Sequence, residues 1–450
     1  MTECSQPSFE FEEHFSRQVT ARFDGGQQTS DAGGLLLRET DRRLNLLPRF
    51  ASCFVDGRDP GRIEHTVGQM TAQRIYGMAL GYEDLNDHEQ LRHDPLLSLM
   101  AGRKNPDDAL AGKSTLNRLE LATKETSRYK KIVFDEEAMD GLMVDIFLES
   151  YPQAPTQIVL DLDSTDFAIH GRQEGRFFHG FYDHYCYLPL YIFCDNQLLC
   201  ARLRKSNIDG SAGSLEEVQR IVKQIRQRWP NVRIILRADS GFCRDGLMSW
   251  CEANVVDFVF GLARNPRLEG LLKPQLEQAA AEFVQTQQRV RIFTEFEYST
   301  KDSWNRSRRV IGKAEHIEGK SNPRFVVTSL SPVELAPQQL YEDFYCARGD
   351  MENRIKEQLS LFADRVSAET MRANQLRMYF SAMAYILVDG LRRLALTATD
   401  MANAQVQTIR LRLFKIGAQL RFSVRRIWIS IASSFPRQQT FQQALAALRC

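Results

Sequence analysis

Residues 157–163 read QIVLDLD, and the run continues through Ser164 and Thr165 to Asp166, so an apolar stretch takes on three carboxylates within six residues. Its alternation and β-branched content predict a strand. Successive strand side chains point to opposite faces, so Asp161 and Asp163 share one face while Leu160 and Leu162 take the other. Charges on a buried strand need partners, either counter-ions or metal ions.

Reading outward, YLPLYIFCD (187–195) and QLLCARLR (197–204) are two further strands separated by the turn residues Asp195 and Asn196. With the first strand they make an antiparallel meander. SLEEVQRIVKQIRQRWP (214–230) predicts a helix, with Ser214 and Glu217 in capping-box spacing and Pro230 past its end. RIILRADS (233–240) is a strand ending at Asp239, GLMSWCEAN (246–254) a helix and DFVFGLA (257–263) a strand. Three antiparallel strands followed by helix–strand repeats define an α/β, RNase H-like core, with crossover helices feeding parallel strands.

Residues 265–324 contain a Gln-rich stretch and the alternating segments RIFTEFEYST and RRVIGKAEHI, which predict a β-rich insertion. RFVVTSL (324–330) resumes the core, and YEDFYCARGDMENRIKEQLSLFADR (341–365) predicts a helix. Before the core, residues 1–155 are mostly helical in period, for example at 70–100; KSTLNRLELA (113–122) offers a Ser or Thr cap. At the other end, 408–432 alternates apolar and basic residues around Gly417, predicting a hairpin with one basic face. The expected organisation is a helical N-terminal region (1–155), to which the family resemblance given below adds DNA binding, a core in two parts (156–264 and 325–398), the insertion (265–324) and a basic C-terminal region (399–450).

The chain has 450 residues, enough for several cores. Its 58 basic and 57 acidic residues leave a net charge of +1, which excludes a uniformly basic coat. The basic charge is local: residues 401–450 contain no Asp or Glu and carry +8. Nine cysteines, Cys4 and Cys450 among them, form no C-x-x-C pair, which argues for reduced thiols. MTECSQPSFEFEEHF lacks the pattern of a secretory signal, and no stretch is long enough to span a bilayer. A cytoplasmic protein without a membrane partner is expected.

Asp239 ends a strand that the proposed topology lays beside the first, so it approaches Asp161 and Asp163. In the later helix, Tyr345, Arg348, Glu352 and Lys356 fall at spacings of three, four and four, forming one stripe. Glu352 could complete an oxygen-ligand set while its cationic neighbours hold phosphate. The plainer reading of the stripe is a solvated face with Arg–Glu and Glu–Lys pairs, each contributing about 0.2–0.5 kcal/mol. Plainer readings also exist for Asp163 and Asp239, as residues that make turns at strand ends. His170, His179 and His184 lie close together beside acids, but their spacing matches no zinc pattern. The glycine-rich GGQQTSDAGG lacks the Lys-Ser/Thr of a phosphate loop.

Residues 160–193, LRADSGF (236–242) and the Tyr345–Glu357 pattern YxxRxxxEnriKE resemble the DDE transposases of bacterial insertion sequences, particularly the thirteen-eighty family of the group-four-like superfamily. SDAGGLLLRE (30–39) and LFKIGAQLRFSVRRIWISIASSFP (413–436) extend the likeness over essentially the whole chain. The resemblance implies metal-dependent cutting and joining of DNA at transposon ends. It implies Asp163, Asp239 and Glu352 as catalytic acids holding two Mg²⁺ ions, with Mn²⁺ able to substitute, and leaves Asp161 as a competitor for the first position. It implies that Tyr345, Arg348 and a Lys hold DNA. The related pattern's Lys position is Leu359 here, so Lys356 is the nearest basic candidate; His179 stands where an Asn is expected. Arg421, Arg425 and Arg426 of the basic hairpin are expected on DNA phosphates, and a homodimer is expected to pair the two transposon ends. Rival readings are a non-catalytic DNA-binding protein, a structure-specific nuclease and a glycosidase, the last leaving the basic tail without a role.

Overall fold

The structure, a computed structural model, describes residues 8–105, 108–128 and 130–449. Cys4, Cys450 and the opening of the N-terminal stretch lie outside the described residues. The chain divides into two compact units. One comprises Asp135–Leu359 and Ala363–Ala382; the other gathers the chain up to Phe134, Ser360–Phe362 and the chain from Met383 onward.

The first of these units is a mixed α/β layer. Its large sheet contains β1 (Gln157–Ser164), β2 (Leu190–Cys194), β3 (Gln197–Arg202), β4 (Arg233–Ala238), β5 (Asp257–Leu262), β6 (Val290–Tyr298), β7 (Arg308–Ile317) and β8 (Arg324–Thr328). Their order across the sheet is β3-β2-β1-β4-β5-β8-β7-β6, with the short strand Lys320–Ser321 beside β7. β2 lies antiparallel to both β1 and β3, whereas β1, β4 and β5 are parallel. The two-residue β2–β3 turn places Asp195 at φ 53°, in the left-handed region Asp tolerates.

One face of the sheet presents Leu160, Leu162, Leu236 and Phe258 to the helices Glu136–Glu149, Ser214–Arg228 and Asp245–Ala253. Each fully buried side chain of this kind contributes about 1.5–3 kcal/mol. The opposite face carries Val159, Ile235, Val259 and Val326, packed with Leu340, Tyr341, Phe344 and Tyr345. Asp161 and Asp163 belong to that second face by alternation. The helical run bearing the Tyr–Arg–Glu stripe covers the face that carries the acids.

Several expectations are corrected. Residues 266–286 form a 21-residue helix instead of strand: Asn265 caps it by accepting from the backbone N–H groups of Arg267 and Leu268, Pro266 fits its first turn, and Gln, Glu, Ala and Leu are good helix formers. β6 and β7 do not form a separate β body either; they continue the large sheet through β8. The charges of β7 look solvent-facing in sequence but are paired and buried, Arg308 with Asp245 and Glu252, Lys313 with Glu315. Ser214 is the first helical residue and not the cap, which is Gly213. Glu217 instead bonds Arg202 and Arg220.

The other unit is largely helical from Gly34, with Val67–Leu80 held by a Thr66–Gln69 capping box. It is not helical throughout: Phe9–His14 and Arg17–Ala21 form an antiparallel hairpin. The helix Lys113–Glu120 is capped by Gly112, with Ser114 and Thr115 inside its first turn. Inside this unit, buried Arg74 donates to Glu120 at 2.7 Å.

A further correction concerns the basic hairpin. Val406–Phe414 is helical, and the hairpin is Ala418–Phe422 with Ile427–Ile431, turning at 423–426 and not at Gly417. Gln27–Thr29 pairs with Ala418–Leu420 on its other edge. Arg410 explains the misreading: it is buried and donates to the carbonyls of Met78 and Ala79 at a helix end and to Ser360.

Candidate functional site

β1 and β4 run parallel with Leu162 opposite Ala238, so one further step along each strand brings Asp163 and Asp239 side by side. Asp239 stands just beyond β4 and accepts from the backbone N–H of Gly241 at 2.8 Å, capping the short turn Ser240–Phe242. Asp163 accepts from its neighbour's N–H, that of Ser164, at 2.9 Å.

The helical run that covers this face changes its winding. Pro337–Gln339 is α-helical, Leu340–Tyr345 a π turn, Cys346–Arg348 a 3₁₀ turn and Gly349–Ser360 α-helical. Arg348 Nη1 lies 3.0 Å from Asp163 Oδ2, and both side chains are mostly buried. Burial alone would lower the pKa of Arg348, but the charges of Asp163, Tyr345, Asp239 and Glu352 outweigh it and raise it. All three expected acids therefore act on one guanidinium. Glu352 and Lys356 are exposed on the following helix.

Burial pushes the Asp163 carboxyl up to about 6; Arg348 opposes the rise, while the charges of Asp239 and Glu352 add to it. Asp161 has a different environment. Arg237, in register with it across the β1–β4 pair, donates from Nε and Nη2 at 2.6 and 2.7 Å, and its Nη1 reaches the carbonyl of Phe344 at 2.6 Å. Burial raises the Asp161 carboxyl in spite of that fork. Asp161 is thus forked by Arg237, whereas Asp163 pairs with Arg348 and also feels its fellow acids.

Tyr345 packs over Gly261. A Cβ on that glycine would lie 2.5 Å from the Tyr345 hydroxyl and 2.9 Å from the backbone nitrogen of Ser240, so glycine is needed for the tyrosine to reach the Asp239 corner. Burial raises the Tyr345 hydroxyl, and it bonds Arg348. Beside this corner opens a cleft of about 460 Å³ lined by Ser240, Arg264, Arg324, Tyr341 and Tyr345, among others.

Asp163, Asp239 and Glu352 offer carboxylate oxygens only, the donor set of a hard divalent cation. Among the described residues, no group of three or more His, Cys, Asp or Glu is arranged to hold a metal ion; Arg348 pairs with one oxygen of Asp163. The donor chemistry suits a hard divalent cation, and Arg348 supplies a counter-charge to Asp163. Of the histidines, His184 bonds Asp166 at 2.8 Å and His179 packs against Tyr182. Arg421 lies exposed on its strand, and Arg425 and Arg426 are exposed at the hairpin turn, the latter over the Trp428 ring.

Two residues of the site escaped the sequence reading. Arg237 carried a signal, since a lone cation in the apolar strand RIILRA requires a buried partner. Tyr182 carried none beyond its aromatic neighbours. Its hydroxyl is pushed up to about 12, by burial first and then by the charges of Asp166, Asp163 and Asp239.

No helix among the described residues is long and apolar enough to cross a membrane. No curated protein matches the chain. Among solved structures, a piggyBac transposase synaptic complex with hairpin DNA is similar at 9% identity and a TM-score of 0.41, covering 86% of this chain and 80% of that one. The profile of the family described as transposase DDE domain group 1 matches residues 11–450. Over nearly its whole length, then, this chain belongs to the group 1 family of DDE-domain transposases.

Proposed function

We propose that this transposase cuts DNA at the terminal inverted repeats of an insertion sequence of the thirteen-eighty kind and joins the freed ends to target DNA. The large sheet is read as RNase H-like, with Asp163, Asp239 and Glu352 as the catalytic acids and the ligands of two Mg²⁺ ions, for which Mn²⁺ can substitute. When bound, such ions supply Lewis acidity at the attacked phosphate and at the leaving oxygen. The protein's own part is to hold the scissile strand. Tyr345, Arg348 and Lys356 would grip phosphate beside the acids, and Arg421, Arg425 and Arg426 would bind the backbone of flanking DNA. The protein acts in the bacterial cytoplasm, as a homodimer when two ends are paired.

The observation that carries this reading is the register Leu162↔Ala238, which sets Asp163 beside Asp239 under the helix bearing Arg348 and Glu352. Its test is incubation with Mg²⁺ and DNA carrying the repeats that flank the protein's own gene. End-specific nicks are expected from the wild type and not from Asp163→Asn, Asp239→Asn or Glu352→Gln, each of which still binds that DNA. Binding without end-specific nicking by the wild type overturns the reading.

A further inference from the structure

Between β1 and β2 the chain leaves the large sheet for a finger of three short strands, Phe167–Ala168, Phe177–His179 and His184–Tyr187, with the last in the middle. Its base is fastened: Tyr187 Oη donates to the carbonyl of Glu174 at 2.6 Å and Ser206 Oγ to that of Phe177 at 3.0 Å. Its tip is exposed. Phe178 is 54% exposed, Phe181 84% and Tyr185 43%, within eight residues of one another. So many bared rings on one short hairpin mark a contact surface.

Position and charge narrow the occupant. The finger begins at Phe167, four residues after Asp163; Asp166 follows Asp163 by three residues, about 10 Å at most, and it holds His184 of the finger at 2.8 Å. Tyr182, next to the tip, feels the charges of Asp163 and Asp239. The guanidinium of Arg176 stacks on the Tyr185 ring at 3.8 Å, exposed Arg172 lies on the finger, and exposed Lys205 bridges Tyr187 at the end of its middle strand. Flat rings interleaved with cations are the pattern that stacks unpaired bases while tracking a phosphate backbone. A base inside a duplex has no free face to offer.

We propose that the finger's rings, Phe178, Phe181 and Tyr185, form a binding site for unpaired nucleobases, holding a separated DNA strand next to the acids. This rests on the reading of Asp163, Asp239 and Glu352 as a DNA-cutting centre.

The test is fluorescence anisotropy of a dye-labelled oligothymidylate and of a duplex of equal length, both in EDTA so that no cutting occurs. Phe181→Ala is expected to weaken oligothymidylate binding by about tenfold, at the lower end of what one stacked base contributes, and to leave the duplex unchanged. Phe181→Trp should restore binding, whereas Phe181→Leu, apolar but not flat, should behave as alanine does. Because the side chain is exposed, thermal melts should coincide with that of the wild type; Tyr185→Ala provides an independent second probe with the same expectation. Equal loss for single strand and duplex overturns the proposal, as does unchanged single-strand binding. Full binding by Phe181→Leu also overturns it and indicates an apolar protein partner. If the wild type cuts repeat ends while Phe181→Ala binds normally, only the finger's role falls. If Asp239→Asn cuts as well as the wild type, the functional reading falls, whatever the rings do.

Discussion

Arg348 Nη1 stands 3.0 Å from Asp163 Oδ2, so this acid already has a cation. A metal ion must compete with that guanidinium. Arg348→Ala should therefore raise Mn²⁺ affinity in the absence of DNA by roughly tenfold, the equivalent of one charge-assisted hydrogen bond of about 1.5 kcal/mol. Electron paramagnetic resonance of free Mn²⁺ measures this directly. Equal affinities in the two proteins would show that the pair does not guard the site.

Asp163 gives stability a pH dependence. Its folded pKa, about 6, lies above the ordinary value of 3.8, so the native state holds the proton more tightly than the unfolded chain. The resulting stabilisation is fully present below pH 3.8 and is lost as pH rises through about 6. Asp163→Asn removes the cost of the buried charge. At pH 8 it should be more stable than the wild type by about 1–2 kcal/mol in urea titration, and the difference should vanish near pH 4.

The adjacent same-face acid should respond in the opposite way. Asp161→Ala leaves Arg237 buried without its fork, an uncompensated charge costing about 3–5 kcal/mol. A double variant, Asp161→Leu with Arg237→Met, should recover most of that loss. Denaturation midpoints of the three proteins decide it, and a small effect of Asp161→Ala alone would count against a structural role.

Gly261→Ala should push Tyr345 away from the Asp239 corner, since the added carbon meets the hydroxyl at 2.5 Å and backbone at 2.9 Å. Overpacking of this kind costs about 1–3 kcal/mol. Trimming the tyrosine by Tyr345→Phe in the same chain should relieve part of it, which a comparison of melting temperatures would reveal.

Arginines of the C-terminal region should divide by burial. Replacing Arg421, Arg425 and Arg426 together with Ala should leave the melting temperature unchanged. It should also flatten the slope of log affinity for duplex DNA against log salt by up to about 2.7, or 0.9 per phosphate contact. Arg410→Ala should instead lower stability, because three carbonyls each lose a hydrogen bond from it.

The contrast between Arg410 and Arg421 shows where sequence reading stops. Period-two alternation looked continuous from Thr408 to Ala432, yet a helix and a strand share it, and only a distant helix end decides that Arg410 is internal. The acids were legible because strand alternation is local: Asp161 and Asp163 had to share a face. Separating them required Arg237, whose partnership depends on the pairing of β1 with β4. Likewise the strands of 290–317 were legible as strands, but their joining to the central sheet through β8 is a long-range pairing with no local signature. The helix 266–286 was missed although Asn265 and Pro266 are a start signal, because the alternating segments after it dominated the reading.

The winding of residues 340–348 has a consequence for how this part of the chain can vary. In a 3₁₀ turn, side chains three apart eclipse, so Tyr345 and Arg348, which bracket one, stack in line and bond each other above the acids. An ordinary α-helix would turn them about 60° apart, at 100° per residue. The preceding π turn and this tight turn act together as a phase corrector between two stretches of regular helix. Many side chains could be exchanged there, but a one-residue insertion or deletion would swing Glu352 away from Asp163 by about a quarter of a turn. At this point in the molecule, length is held more strictly than composition.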